Sequence, residues 1–408
     1  MNNFIYNLYR KLPNNRRFQL RNFLNNSFFF KKFYQKYRKN KITNNKKLTD
    51  LIIYTNNFCN AHCGYCDVTR VDVETQSALG IGRPLVGTPV YMSTNLFKKI
   101  MEDDFTKKNK LFVNFLMTEP LLSKNIGELL QISKSYEHST KVTTNGFLLE
   151  KRSQEIYKNL DYLQVSLDGP KDLHDSVRGK NFFERATNGM KVIQNLNSKI
   201  KISINVTITS VNYQYLYEFL QILDDLEINL SEVRYQFIDF VSEQMSKMQS
   251  ECSPKIPQSI STIDEVDYLD LDIEKLSEQL EMIKTFKAKN IKKITFKPNM
   301  FDKDNLYNYF KKSGKQMGLN NMCSTPYNQL AINTSGNIYW HMRCFNDYVL
   351  GNINNNSLSE IWENEKSSHF RKEFEKNDLC FPACTRCCGI MESHEININK
   401  NSDFSKRL

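Results

Sequence analysis

Cys59-Asn60-Ala61-His62-Cys63-Gly64-Tyr65-Cys66 is the stretch around which the rest of this sequence arranges itself. Its cysteines are separated by three and then two residues, and it directly follows residues 50–55, a β-rich run that reads as a strand. The thiols therefore fall in a loop at a strand's C-terminal end, where open α/β sheets and barrels place their sites. Such spacing lets a single loop wrap three corners of a cubane iron-sulfur cluster, whose irons take thiolate ligands. Three thiolates leave one iron open, so a substrate or cofactor can coordinate the metal, as happens at catalytic zinc sites. A zinc site completed by His62 or Asp67 is the rival reading. Structural zinc motifs usually pair two short Cys-x-x-Cys steps, which this stretch does not.

Outward from this loop, short β-rich runs alternate with amphipathic ones. Strands are expected at 50–55, 111–117, 141–144, 162–167, 201–207 and 232–237, with helices between them at 94–103, 125–136, 184–195 and 213–226. Six strand-helix units in order argue for a parallel α/β sheet. Right-handed crossovers allow either a doubly wound sheet or a partial barrel, and periodicity does not choose between them. Residues 241–270 are polar and rich in Ser, Gln and Pro, so a linker or mobile insertion is expected there. A helix follows, because Ile273, Leu276, Leu280, Ile283 and Phe286 form one apolar face.

The net charge of +11 over 408 residues is local. Residues 1–49 hold 13 Lys/Arg and no Asp or Glu, which leaves the remainder at about −2. Within 1–48 the basic residues mix with Phe18, Phe23, Phe28, Phe29, Phe30, Phe33, Tyr34 and Tyr37, and Pro13 and Asn14 divide the run in two. Helices packed on the body, contact with an anionic membrane surface, and a nucleic-acid arm are the readings in descending order. No apolar run approaches the roughly 20 residues a membrane span needs. Met1 to Arg10 lack the order of a secretory signal, so a cytoplasmic, reducing compartment is expected, with any membrane contact peripheral. Ten cysteines there point to metal chemistry rather than disulfides, and their clustering at 59–66 and 380–388 points to two sites.

The Cys-x3-Cys-x-Tyr-Cys stretch resembles the defining motif of the radical S-adenosylmethionine (SAM) superfamily, with Tyr65 in the aromatic place; the resemblance covers roughly residues 50–240. Met117-Thr118-Glu119-Pro120 stands where the family has Gly-Gly-Glu-Pro, which contacts the methionine amino group. Glu119 keeps the glutamate's place, while Met117 and Thr118 replace the glycines that permit close backbone approach. Thr144-Asn145-Gly146 ends the third strand as in relatives. Ser166-Leu167-Asp168-Gly169 resembles the segment whose serine lies near the SAM ribose, and Asp168 belongs to the same set. Arg178, in His174-Asp175-Ser176-Val177-Arg178-Gly179, stands where the family's arginine can pair with the SAM carboxylate, a contact that suits a guanidinium. Asn205 and Thr207 are weaker candidates. The implied fold is a partial (β/α)6 barrel.

A second module begins near Cys323. Cys323 and Cys344 bracket a hairpin turning at Ser335-Gly336; Gly351-Asn352-Ile353 and Glu360-Ile361-Trp362 follow, and then Cys380, Cys384, Cys387 and Cys388. From Cys323 to Gly389 this resembles the SPASM or shorter twitch extension of radical SAM enzymes. Four thiolates complete a cubane, and Cys323, Cys344, Cys384 and Cys387 are the chosen set for one auxiliary [4Fe-4S] cluster. Cys380 and Cys388 are candidates for substitution or a substrate-facing role. A structural zinc knuckle is the rival, and Cys252 reads as a bystander.

The expected organisation is a basic arm at 1–48, a core at 49–240, a linker and helical insertion at 241–320, the auxiliary module at 321–392 and a polar tail at 393–408. The resemblance implies an enzyme whose [4Fe-4S] cluster on Cys59, Cys63 and Cys66 cleaves SAM to a 5′-deoxyadenosyl radical that abstracts hydrogen. Its electron would come from a reducing partner such as flavodoxin or ferredoxin. A carbohydrate or other small metabolite is the preferred substrate, with a ribosomally made peptide or protein as runner-up. The rival of another class is a non-catalytic iron-sulfur protein that binds membrane or RNA.

Overall fold

Alternating burial marks the longer strands of the sheet. In β5 (Lys201–Ile208) Ile202, Ile204, Val206 and Ile208 are buried, while Lys201, Ser203, Asn205 and Thr207 point the other way. The same alternation runs through β2 (Phe112–Phe115), β3 (Ser139–Thr144) and β6 (Leu230–Phe237). The computed structural model describes residues 28–66, 89–257, 268–298, 300–312, 322–340, 345, 348–387 and 394–396. The chain divides into one unit of residues 47–398 and another of 1–46 with 399–408. In the latter the described part is helix α1 (Phe28–Asn44), a piece of the basic arm. Phe18, Phe23 and the Pro13-Asn14 division lie outside the described residues.

In the larger unit, β1 (Asp50–Ile53), β2, β3, β4 (Tyr162–Ser166), β5, β6 and β7 (Ile294–Lys297) lie side by side in sequence order, all parallel. A doubly wound sheet would reverse its order partway. This one never does, so right-handed crossovers place every connecting helix on the same face, as in a barrel wall. The crossovers carry α2 (Thr94–Glu102), α3 (Asp104–Lys107), α4 (Ile126–Ser135), α5 (Leu149–Ile156), α6 (Lys171–Arg178), α7 (Phe182–Leu196) and α8 (Leu216–Asp225). Between β6 and β7 come α9 (Glu243–Cys252) and α10 (Ile273–Lys284), and α11 (Lys303–Lys311) follows β7. Side-chain caps mark several starts: Ser93 accepts from the Leu96 amide, Asp272 from the Glu274 amide and Asp302 from the Asn305 amide.

The helix-covered face of the sheet is mainly apolar, with Thr140 and Thr144 of β3 as buried polar exceptions. Phe97 of α2 packs on Phe115 at 5.7 Å between ring centroids, the Tyr235 hydroxyl donates to the Leu216 carbonyl of α8, and Phe237 meets Tyr309 of α11. Each fully buried side chain of this kind contributes about 1.5–3 kcal/mol. The opposite face is polar along β5, with Lys201, Ser203, Asn205 and Thr207, and apolar toward β8, where Ile52 and Tyr54 pack with Ala331 and Tyr339.

Both edges are covered by later chain. β8 (Gln329–Ile332) adds in parallel to β1, then β9 (Asn337–Tyr339) and β10 (Gly351–Asn352) follow antiparallel, while β11 (His394–Ile396) pairs antiparallel with β7. The β8–β9 turn is the one read at Ser335-Gly336. Gly336 has φ +81°, and a Cβ there would lie 2.9 Å from Ile353. Ser357 and Glu360 form a capping box that starts α13 (Leu358–Glu363), counting α12 as Thr325–Asn328; α14 (Glu365–Lys376) follows. Two features depart from the sequence reading: α9 occupies part of the stretch expected as a linker, and β7 continues the parallel sheet beyond its sixth strand. Only Met245, Ser246 and Gln249 of α9 are buried, too short and polar a face to show as a period.

Candidate active site

The loop after β1 crosses the C-terminal ends of the strands and is stitched there by polar bonds. Asn56, buried, donates to the Glu119 carbonyl (2.7 Å) and the Ser123 hydroxyl (3.1 Å) and accepts from the Phe58 amide (3.1 Å). The Thr118 hydroxyl donates to the Asn56 carbonyl, and the Glu119 amide donates to the Phe58 carbonyl. Met117 and Thr118, standing where the resembled family has glycines, keep a left-handed backbone with φ of 66° and 48°. A β-branched residue in that region is a conformational outlier, of a kind held only where its surroundings over-determine it.

Cys59, Cys63 and Cys66 share one small environment. Cys63 is buried with Ala61 and Phe182, and Cys59, Cys66, Tyr65 and Phe147 pack against that cluster. The Cys66 amide donates to the Cys63 carbonyl at 3.0 Å, and Asn145 Nδ2 lies 3.7 Å from Cys59 Sγ. Burial pushes the Cys59 thiol up to about 12, helped by the Glu119 carboxylate and the other two thiols. Three such soft donors on one loop suit an iron-sulfur cluster, and a coordinated thiol is held deprotonated by the metal's own charge. Among the described residues no group of three His, Cys, Asp or Glu side chains is set to hold a single metal ion.

Glu119 lies beneath this loop. Its Oε1 accepts from the Thr144 hydroxyl (2.7 Å) and the Leu121 amide (3.0 Å), and Oε2 accepts from the Asn145 amide (2.7 Å). Burial raises its carboxyl, against the pull of these donors and of Arg178. The sequence reading puts Glu119 on the methionine amino group; the structure buries it completely and commits both oxygens to the chain.

Tyr65, Asp168 and Arg178 meet in a second buried knot. Arg178 Nε donates to Asp168 Oδ2 at 2.6 Å and its Nη2 donates to the Tyr65 hydroxyl at 2.7 Å, while that hydroxyl donates to Asp168 Oδ2 at 2.7 Å. The Thr207 amide reaches Asp168 Oδ1 at 3.2 Å. Burial would raise the Asp168 carboxyl, but the charge of Arg178 and its hydrogen bond hold it below the usual carboxylate range. Burial likewise opposes the Arg178 charge, and Asp168 more than restores it. Arg178, expected at the SAM carboxylate, is thus held in a buried ion pair, and its carbonyl accepts from the His62 amide of the cysteine loop at 3.4 Å. Ser166, Asn205 and Thr207 lie half-buried on the polar face of the sheet beside this knot.

Three participants have no role in the sequence reading, although His174 belongs to the segment quoted around Arg178. Asn56 is one. Asn212, buried, donates to the carbonyls of both Asp168 and Thr207 at 2.7 Å and so ties the ends of β4 and β5. His174, fully buried, accepts from the Asp168 amide through Nδ1, and burial takes it down to about 4, so the imidazole is neutral. Asn56 follows β1, Asn212 lies in the turn after β5 and His174 lies within α6, and only the folded neighbourhood shows what each of them holds.

In the C-terminal module the Cys323 amide donates to the Leu379 carbonyl at 2.9 Å, which sets Cys323 beside the segment carrying Cys380, Cys384 and Cys387. The Cys387 amide donates to the Cys384 carbonyl at 3.0 Å, closing the Cys-x2-Cys step. Cys380 is fully buried, and its thiol donates to the Phe381 carbonyl at 3.5 Å. Cys344, Cys388 and Asp67 lie outside the described residues. Cys252 is exposed at the end of α9.

The sequence profile of the Radical SAM superfamily matches residues 53–223, and that of the SPASM iron-sulfur cluster-binding domain matches residues 323–388, together more than half of the chain. Fe-coproporphyrin III synthase of Methanosarcina barkeri is 27% identical over 145 residues, covering 35% of this chain and 33% of that protein. The S-adenosyl-L-methionine-dependent 2-deoxy-scyllo-inosamine dehydrogenase of Niallia circulans is 36% identical over 70 residues, 15% of this chain and 27% of that protein. The chain thus matches a third or less of the length of these relatives. Streptococcus suis SuiB bound to S-adenosylmethionine shares the fold, with a TM-score of 0.56 and 16% identity over 85% of this chain and 74% of that one. Among the described residues no helix is long and apolar enough to cross a membrane. The matches fall on the halves of the sequence that hold the two cysteine groups, and the chain belongs to the radical SAM superfamily, with a SPASM module on its C-terminal side.

Proposed function

We propose that this protein is a radical SAM enzyme that cleaves SAM reductively and abstracts a hydrogen atom from a small polar metabolite, oxidising or rearranging it. The observation that carries the reading is the gathering of Cys59, Cys63 and Cys66 at the C-terminal ends of a singly wound sheet. Bound on these thiols, an iron-sulfur cluster supplies the electron that splits SAM into methionine and a 5′-deoxyadenosyl radical. The chain's own part is positioning. Tyr65, anchored to Asp168 and Arg178, holds the cysteine loop against β4 and β5, and Glu119 holds the loop's other side to the end of β3. Ser166, Asn205 and Thr207 offer polar groups to SAM and substrate from the open face.

Cys323, Cys344, Cys384 and Cys387 are assigned to an auxiliary cluster, which supplies a site for an electron leaving the substrate. A metabolite is favoured over a peptide because the matched dehydrogenase is named for 2-deoxy-scyllo-inosamine and because β3 and β5 turn polar side chains to the open face. The test is anaerobic reconstitution followed by measurement of 5′-deoxyadenosine formed from SAM and dithionite. Wild type is expected to form it and Cys59→Ala/Cys63→Ala/Cys66→Ala to form none. An iron-loaded wild type that forms none with any metabolite supplied would overturn the reading.

A further inference from the structure

Helix α9 (Glu243–Cys252) lies against the cysteine-bearing end of the C-terminal module. It packs on the turn Pro382–Cys384, and just ahead of it the Phe240 amide donates to the Arg386 carbonyl at 3.3 Å. Residues four apart share a helix face. On this face Met245 comes first, with the Thr385 hydroxyl 3.9 Å from its Sδ. Ser253, just past the helix end, comes last, and its hydroxyl accepts from Asn377 Nδ2 at 3.0 Å. Gln249 stands midway between these two contacts. Its side chain therefore faces the middle of segment 377–385, which carries Cys380 and Cys384.

Gln249 is 0% exposed, and among the described residues neither its Nε2 nor its Oε1 has a hydrogen-bond partner. No other side-chain amide among them leaves both of its polar atoms buried and unmet. A buried donor without an acceptor is rare in folded chains, and its partner is then to be sought in a bound group. Unmet carbonyl oxygens are commoner, so the NH2 end is the one that needs an explanation. Cysteines surround the place. Cys384 and Cys387 close their step through the Cys387 amide, and Cys323 is joined to the same segment by its amide bond to the Leu379 carbonyl. An iron-sulfur cluster on these thiolates presents sulfurs that accept hydrogen bonds, which suits an NH2 group with two hydrogens to give.

We infer that Gln249 is a positioning residue of the auxiliary cluster, its Nε2 donating to a sulfur of the cluster assigned to Cys323, Cys344, Cys384 and Cys387, and that this bond raises the cluster's reduction potential. The inference deepens the proposed function and rests on that assignment. The reduced cluster carries one more negative charge than the oxidised one, so a hydrogen bond to its sulfur favours the reduced form. A cluster that takes up an electron leaving the substrate is made a better acceptor by it.

The test is a redox titration of the reconstituted full chain, wild type and Gln249→Met, followed by electron paramagnetic resonance. The signal to follow is the one that Cys59→Ala/Cys63→Ala/Cys66→Ala retains. Methionine approximates the bulk of glutamine and donates no hydrogen bond. It is expected to shift the one-electron equilibrium about tenfold toward the oxidised cluster, a potential lower by about 59 mV, and to leave the potential of the other cluster unmoved. In wild type labelled isotopically at the glutamine side-chain nitrogen, pulsed resonance should show that nitrogen coupled to the same signal. This second measurement needs no substitution, so it covers the case in which Gln249→Met fails to fold. An auxiliary potential unchanged in Gln249→Met, an equal shift in both clusters, or a labelled wild type without the coupling would each overturn the inference. Wild type with iron for the first cluster alone and no retained signal would overturn the cluster assignment and the inference with it. A retained signal indifferent to Gln249→Met would overturn the inference and leave the assignment standing.

Discussion

Replacing Asp168 with alanine is expected to cost about 3–5 kcal/mol of folding stability, the range for breaking a buried ion pair by removing one partner. The carboxylate is 1% exposed, and Arg178, 8% exposed, would keep its charge in the interior with nothing to balance it. Tyr65 would lose its acceptor and the Thr207 amide would lose a partner. Because Tyr65 sits between Gly64 and Cys66, the damage should reach the cysteine loop, and iron bound at Cys59, Cys63 and Cys66 should fall with stability. Tyr65→Phe removes a hydroxyl but leaves the ion pair, so about 1 kcal/mol is expected from it. Denaturant midpoints of the three proteins, with iron counted on the same samples, would check this; equal midpoints for wild type and Asp168→Ala would refute it.

Acidification should give a matching signature. Asp168 titrates lower in the folded chain than in the unfolded one. In the window between those two values the unfolded state binds more protons, so stability rises with pH. The contribution is therefore complete above the usual carboxylate range and fades as pH falls toward the depressed folded value. Asp168→Asn should lack that part of the acid sensitivity.

Arg386→Met is the second large effect, and it should fall on the C-terminal module. Arg386 is wholly buried between Cys384 and Cys387. Its Nε donates to the Tyr309 carbonyl at 2.7 Å, Nη2 to the carbonyls of Asn308 (2.9 Å) and Lys312, and Nη1 to the Thr385 carbonyl at 3.2 Å. Burial brings its guanidinium down to about 10, still charged at neutral pH. The carbonyls of Tyr309, in the last turn of α11, and of Lys312, just past its end, are among those a helix terminus leaves for outside donors, and the Asn308 carbonyl, which also accepts from the Lys312 amide at 3.3 Å, takes the guanidinium as a second donor. Methionine approximates the side chain's apolar bulk and supplies no donor, so about 3 kcal/mol or more should be lost from stranded carbonyls alone. The cysteine step should loosen with it. Iron per chain is expected to drop toward what the first cysteine group holds, while a variant with wild-type iron and stability would refute the anchoring role.

The sheet is largely legible in the sequence because its strands are β-rich runs between amphipathic helices, and the longest of them bury one face only. β5 alternates Ile or Val with Lys, Ser, Asn and Thr without a break, and each of the six expected strands overlaps an observed one. The cysteine loop was legible because three thiols at that spacing after a strand have few other uses. What stayed hidden depends on distant partners. β7 is four residues long and β11 three, and each is a strand only because another strand pairs with it. Residue types at the site were also easier to read than their partners. The sequence offers Arg178 as a partner for a carboxylate and gives no sign of its ion pair with Asp168 ten residues earlier, which only the fold brings about.

The most direct test of the central claim is electron paramagnetic resonance of the anaerobically reconstituted, dithionite-reduced protein, with and without SAM. A reduced-cluster signal is expected that changes shape when SAM is added and disappears in Cys59→Ala/Cys63→Ala/Cys66→Ala, leaving a second signal from the C-terminal module unaffected. A wild-type spectrum indifferent to SAM, or a SAM-responsive signal that survives in the triple variant, would contradict it.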